Sequence, residues 1–223
     1  MSIRSVNLAR PRPNPDPRNA HLMTGIDKHP VDEPIEVRAP GPKRGGLGSG
    51  LVGDHIGEPE HHGGDDQAVY AYAREDLDHW QRTLGRELRD GVFGENLTTR
   101  GIDVTGALIG ERWRIGTSVL LEVATPRIPC RTFASWLEQR GWVKTFTQEA
   151  RPGAYLRVLE PGRIRSGDPV VVEFRPDHDV TIGVTFRALT LEPELLPRLV
   201  TVEALPAAER ARAARRSPFD LSQ

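Results

Sequence analysis

Residues 97–124 read LTTRGIDVTGALIGERWRIGTSVLLEVA. Apolar side chains come in short alternating runs, Ile102 and Val104, then Trp113 and Ile115, then Val119, Leu121 and Val123, and Gly106, Gly110 and Gly116 separate them. Period two with glycine punctuation predicts short strands joined by turns, a spacing that favours a compact barrel. Working outward, Ile35 and Val37 continue the pattern, as do Val69, Ala71 and Ala73 on one face with Tyr70 and Tyr72 on the other. Leu77, Trp80 and Leu84 fall at helical spacing over 74–84, and Gly85 is placed to stop that helix. Phe133, Trp136 and Leu137 predict a short helix, and PVVVEF at 169–174 a last barrel strand. The expected fold is mainly β, a barrel with a few short helices and a small C-terminal helical segment.

The chain has 223 residues, enough to bury a substantial core. Gly (22) and Pro (19) are abundant and aromatic residues make up 6%, a composition of many turns and short strands. Residues 1–20, with Pro11, Pro13, Pro15 and Pro17, read as a weakly ordered lead-in, and 38–50, RAPGPKRGGLGSG, as a flexible surface loop. The barrel is expected over 21–175. From 176 to 223 the glycine-bounded strands give way to helical segments, with Pro193 and Pro206 at first-turn positions. The late arginines Arg210, Arg212, Arg215 and Arg216 read as a solvated helix end.

Lys plus Arg (30) nearly balance Asp plus Glu (31), so no global field draws the chain to nucleic acid or an anionic membrane. With no long apolar run and no secretory leader pattern, the expected address is the cytoplasm. A single cysteine, Cys130, excludes an internal disulfide, a four-cysteine zinc site and an all-cysteine cluster within one chain. What is left for Cys130 is packing as a small hydrophobe, thiol chemistry, or one bond to a metal.

Cys130 lies in TPRIPCR, where two prolines stiffen the backbone. Arg127 and Arg131 flank it; on the same side as the thiol they would favour the thiolate. His61-His62-Gly63-Gly64 is a loop, with histidines that could bind a metal or move protons, and glycines whose amides could meet an anion. Glu95 and Asn96, after Phe93-Gly94, either read a polar heterocycle or cap a turn. Lys28, in TGIDKHPV, is either a point charge for phosphate or a solvated surface lysine.

Taken in order, TGIDKHPV, GD at 53–54, HHGG, QAVYAY, FGENL, IGERWRIG, PRIPC and RPGAYLRVLEPGRIRSGD resemble the conserved blocks of MOSC-domain proteins, the family named after the C-terminal domain of molybdenum cofactor sulfurase. The order HHGG, GENL, PRxPC and a late GD most resembles the YiiM-like subgroup, with a MOSC-type β-barrel and an appended three-helix segment. The resemblance implies a bound molybdenum cofactor, with Cys130 as the protein ligand to molybdenum. Lys28, Arg127, Gly63 and Gly64 would meet the phosphate and pterin edges. His61, His62, Glu95 and Asn96 would serve pterin, substrate or proton delivery. A lysine is expected where Gln67 stands.

The resemblance further implies an oxidoreductase that cleaves the N–O bond of N-hydroxylated compounds, such as the base 6-N-hydroxylaminopurine, and so detoxifies them. Cys130 and one of His61 or His62 would be the catalytic residues. With no flavin or iron–sulfur pattern in the chain, electrons would come from a separate flavin or iron–sulfur protein. A homodimer covering exposed strand edges is a further expectation. The alternative is a persulfide or cofactor carrier using Cys130; a zinc hydrolase using His55, His61 and His62, or a plain binding protein for anionic ligands, ranks last.

Overall fold

The computed structural model describes residues 1–58 and 62–221. In chain order the strands are β1 (Ser2–Ala9), β2 (Arg12–Pro13), β3 (Met23–Thr24), β4 (Lys28–Val31), β5 (Ile35–Val37) and β6 (Val69–Ala73), followed by helix α1 (Arg74–Leu84). Then come β7 (Leu97–Arg100), β8 (Arg112–Ile115), β9 (Val119–Pro126), α2 (Arg131–Leu137) and α3 (Trp142–Glu149). The chain ends with β10 (Ala154–Glu160), β11 (Gly162–Ile164), β12 (Val170–Phe174), α4 (Ile182–Thr190) and α5 (Ala207–Ala214). A tight 3-10 turn at Pro193–Leu199 lies between the last two helices.

Eight strands form one mixed sheet in the order β12-β8-β9-β10-β6-β7-β1-β4. The pair β6 and β7 is parallel, and α1 is the crossover that such a pair requires. The ladder order is open, with β12 and β4 at its ends. β4 pairs only with Val6–Ala9, and the start of β1 meets the approach to β12 through the Ser2–Pro169 bridge and a hydrogen bond from Ile3 N to Asp168 O at 2.8 Å.

The expected strands at Trp113–Ile115 and Val119–Val123 form the β8–β9 hairpin, Trp113 opposite Leu121. Two sequence expectations are corrected. Ile102 and Val104 are buried in a loop rather than a strand, because Asp103 accepts the Gly106 amide at 2.8 Å and turns the chain. Residues 2–9 are not a weakly ordered lead-in but a strand between β4 and β7. Its register slips between Ile3 and Ser5, so the clean alternation that announces a strand is broken.

Both faces of β6 are buried, which explains its unusual content. Val69, Ala71 and Ala73 face the main core, which also takes in Ile182, Leu189, Leu196 and Leu199 of the C-terminal segment. Tyr70 and Tyr72 face a second, aromatic cluster of Trp80, Phe93, Phe133, Trp142, Phe146 and Phe186. Trp80 Nε1 donates to the Tyr72 hydroxyl at 2.8 Å, and that hydroxyl donates to Arg151 O at 2.7 Å, so these two ring polar atoms are satisfied as they are buried, whereas Trp142 Nε1 is buried without a partner. This cluster clamps α1, α2 and α3 onto the sheet and thereby fixes the start of α2, where Cys130 sits.

Candidate active site

A cavity of about 330 Å³ opens beside the aromatic cluster. The strap between β9 and α2 supplies Arg127, Ile128 and Cys130; β4 supplies Lys28; and the loop after β5 supplies Asp54, His55 and Glu58. His62 and Gly63, Gln67, Tyr70 and Asn96 complete the sheet side, and Glu209 and Phe219 reach in from the C-terminal segment.

Cys130 is the half-buried N-cap residue of α2, in extended geometry with φ −127°. The two flanking arginines part company. Arg127 is buried, lines the cavity, donates to Phe93 O, and lies 3.9 Å over the Phe133 ring. It is also electrostatically coupled to Tyr70, Tyr155 and Cys130. Arg131 instead turns to Asp16 Oδ2 at 3.1 Å. One guanidinium, not two, therefore faces the thiol's side of the cavity.

Lys28 is neither a surface lysine nor a free cation. It is buried, with Nζ 2.6 Å from both carboxylate oxygens of Asp54. Asp54 also accepts from Ser49 Oγ at 2.8 Å, Asn96 Nδ2 at 2.9 Å and the Ala9 amide at 2.9 Å. Burial alone would raise the Asp54 carboxyl, but the Lys28 charge and these donors outweigh it and hold the group below the ordinary aspartate value. Asp54 belongs to the GD pair at 53–54, yet nothing in the sequence paired it with Lys28, because the two meet only where the loop after β5 folds onto β4.

The predicted roles of Glu95 and the glycines are corrected. Glu95 is fully buried and does not line the cavity; it accepts the Gly91 amide at 2.5 Å, the Phe93 amide at 3.0 Å and the Thr98 hydroxyl at 2.9 Å. It therefore caps the turn that sets β7. Asn96 does line the cavity, but its Oδ1 accepts the Tyr70 amide at 3.1 Å. The Gly63 amide donates to Gln67 Oε1 at 3.2 Å and the Gly64 amide to Gly48 O at 3.1 Å, so neither is left for an anion. Both glycines have φ near +80°, and a Cβ on Gly63 would sit 2.7 Å from Gly48 O; close packing against the 38–50 loop demands them. His61 lies outside the described residues. His62 lines the cavity, as does His55, whose Nε2 is buried without a hydrogen-bond partner. Among the described residues no three His, Cys, Asp or Glu side chains are grouped to hold a metal ion.

Burial pushes the Glu95 carboxyl up to about 7, against the hydrogen bonds that it accepts. A raised folded value means that its stabilising contribution is complete below the ordinary value of 4.5 and is lost as pH rises through about 7. Urea unfolding between pH 4.5 and 7.5 is expected to show a loss on the order of 2–3 kcal/mol that is absent from Glu95→Gln. Equal slopes in the two proteins would contradict the assignment.

Residues 58–171 match the MOSC domain family. The chain belongs to that family. This MOSC protein is 29% identical over 181 residues to YflK of Bacillus subtilis (strain 168), covering 81% of the chain and 77% of YflK. It is 30% identical over 180 residues to a protein of Gibberella moniliformis named reductase, covering 69% of the chain but 32% of that longer protein. The crystal structure of YiiM from Geobacillus stearothermophilus superposes with a TM-score of 0.76 at 27% identity, covering 96% of this chain and 98% of that one. The MOSC protein is thus YiiM-like, in a sheet-dominated fold with several helices. Among the described residues no helix is long and apolar enough to cross a membrane.

Proposed function

We propose that this MOSC protein binds molybdenum cofactor and reduces N-hydroxylated compounds, N-hydroxylated purine bases such as 6-N-hydroxylaminopurine among them, with electrons from a separate flavin or iron–sulfur protein. The observation that carries the reading is the half-buried Cys130 thiol on a cavity whose wall mixes polar groups such as Arg127, Asp54 and His55 with apolar ones such as Ile26, Ile56 and Ile128. The donor set suits such a group: one soft sulfur for the metal, the buried Arg127 guanidinium with Lys28 beside it in its ion pair with Asp54, and an unpartnered His55 Nε2 able to meet a polar ring edge. Support from relatives is the family's link to molybdenum cofactor sulfurase and the fungal reductase. The same reading takes the eight-stranded sheet as a barrel closed through the Ser2–Pro169 bridge.

When bound, the cofactor would supply two-electron redox chemistry. The chain's part is to hold and to protonate. Pro126 and Pro129 fix the strap, and α2, anchored in the aromatic cluster by Phe133 and Leu137, fixes Cys130 at its end. Reduction of R–NH–OH takes two electrons and two protons and gives R–NH2 and water. Hydroxide is a poor leaving group, so the departing oxygen must be protonated as the N–O bond breaks. His62, on the cavity wall, is the described histidine of the predicted pair that can serve.

The test is elemental analysis and pterin fluorescence on protein made in a host that assembles the cofactor, with an N-hydroxylaminopurine assay alongside. Near-stoichiometric molybdenum with pterin is expected. Neither, in folded protein from such a host, would overturn the reading in favour of the persulfide carrier.

A further inference from the structure

The C-terminal segment is built into the cavity rather than appended beside it. Arg157 of β10 donates to Ala204 O at 2.7 Å and to Asp66 at 2.6 Å, tying the approach to α5 against the turn at Asp65–Gln67. The Phe219 amide donates to Leu189 O at 2.7 Å, and Arg212 stacks 4.0 Å over the Phe219 ring, which holds that ring at the cavity. These two anchors place Glu209, in the first turn of α5, on the cavity wall.

On the same wall Lys28 is paired with Asp54, Arg127 donates to Phe93 O, and Glu58 accepts from Asn14 Nδ2 at 3.3 Å. Glu209 is different: its Oε2 is buried and accepts no hydrogen bond. Lys43 of the 38–50 loop and Arg212 of α5 itself act on it through charge, and Asp66 opposes them, yet none donates to that oxygen. Burial raises the Glu209 carboxyl above its ordinary value. A buried acceptor without a donor is costly unless something supplies the donor, and the carboxyl torsion of a glutamate is soft enough to turn either oxygen toward the cavity.

We infer that Glu209 selects ligands for this cavity by accepting an N–H donor from an amidine-type group, whether a cationic amidine or the neutral amino group of an amidoxime. The amidoxime half rests on the reductase reading; the amidine half does not. A carboxylate facing an amidinium gains a charge-assisted hydrogen bond, whereas an aldoxime, which shares the amidoxime's O–H, offers no N–H for Glu209 to accept.

The experiment is calorimetric titration with benzamidine of purified protein whose molybdenum content is measured in parallel. Wild type is expected to bind, Glu209→Ala at least tenfold more weakly, and Glu209→Gln between the two. Glu209→Gln keeps the shape of the first turn and carries the comparison if the alanine variant fails to fold. In the reductase assay, the KM for benzamidoxime is expected to rise at least tenfold more than that for benzaldoxime in Glu209→Ala. No binding by wild type, or equal binding by the variants, would overturn the inference and leave the reductase reading standing. Glu209-dependent benzamidine binding in protein without molybdenum or reductase activity would uphold the inference and sink that reading.

Discussion

Cys130→Ser is expected to lower reduction of N-hydroxylated bases at least ~100-fold and to strip molybdenum from the protein, while unfolding at the wild-type temperature or slightly above it. The two halves have separate causes. For stability, the exchange of Sγ for Oγ changes little volume at a half-buried position. It also improves the start of α2, because Cys130 is an N-cap whose side chain makes no capping hydrogen bond and serine is among the best residues there, worth about 1 kcal/mol. For the cofactor, a hydroxyl does not ionise near neutral pH and is a hard donor, so the soft bond to the metal is lost. Full activity with retained molybdenum in this variant would remove Cys130 from the proposal. The persulfide alternative is read in the same preparation: an added sulfur atom on Cys130 in protein isolated without reductant would favour a carrier.

What the sequence disclosed, and what it hid, divides along physical lines. The β8–β9 hairpin and α1 were legible because their signals are local: alternation about Gly116, and Leu77, Trp80 and Leu84 on one face ended by Gly85 in the left-handed region. β1 was not legible, because a bulge breaks its alternation and it buries Ser5 and Asn7, whose polarity is satisfied by each other and by distant partners such as Thr98. In α3, Trp142 and Phe146 mark one face at helical spacing, but the helix begins only at Gly141 after the left-handed break at Glu138, a boundary easily read as loop. The site followed the same rule. The PRIPC strap, Asn96, Lys28 and Gly63 do reach one cavity, whereas Glu95 and Gly64 serve the backbone around it. Asp54 and Glu209 were missed because a carboxylate's importance lies in which donors the fold brings to it or withholds, and those donors come from Lys28, Ser49 and Asn96 in one case and are withheld from Oε2 in the other.

Asp54→Asn is expected to destabilise the protein by ~3–5 kcal/mol. The carboxylate accepts hydrogen bonds from Lys28, Ser49, Asn96 and the Ala9 amide, all donors. An amide has one accepting oxygen and turns an NH2 toward donors that have nowhere else to go. It also leaves the buried Lys28 ammonium without its counter-charge, at a site where charge is poorly solvated. Removing that charge as well should help: Lys28→Met on the Asp54→Asn background is expected to recover ~1–3 kcal/mol, although Lys28→Met alone destabilises. Additive losses in the double-mutant cycle would mean that the pair is not coupled. The wild-type pair also predicts a direction with pH. Because the folded Asp54 value is depressed, its contribution is present above the ordinary aspartate value of about 3.9 and is lost as pH falls through the lower folded value. Asp54→Asn should therefore unfold less steeply with acid than wild type. If the double variant regains stability but not molybdenum, Lys28 serves the cofactor as well as the fold; if it regains both, the ion pair is there to hold β4 against the loop at Asp54, and the cavity's cationic role falls to Arg127.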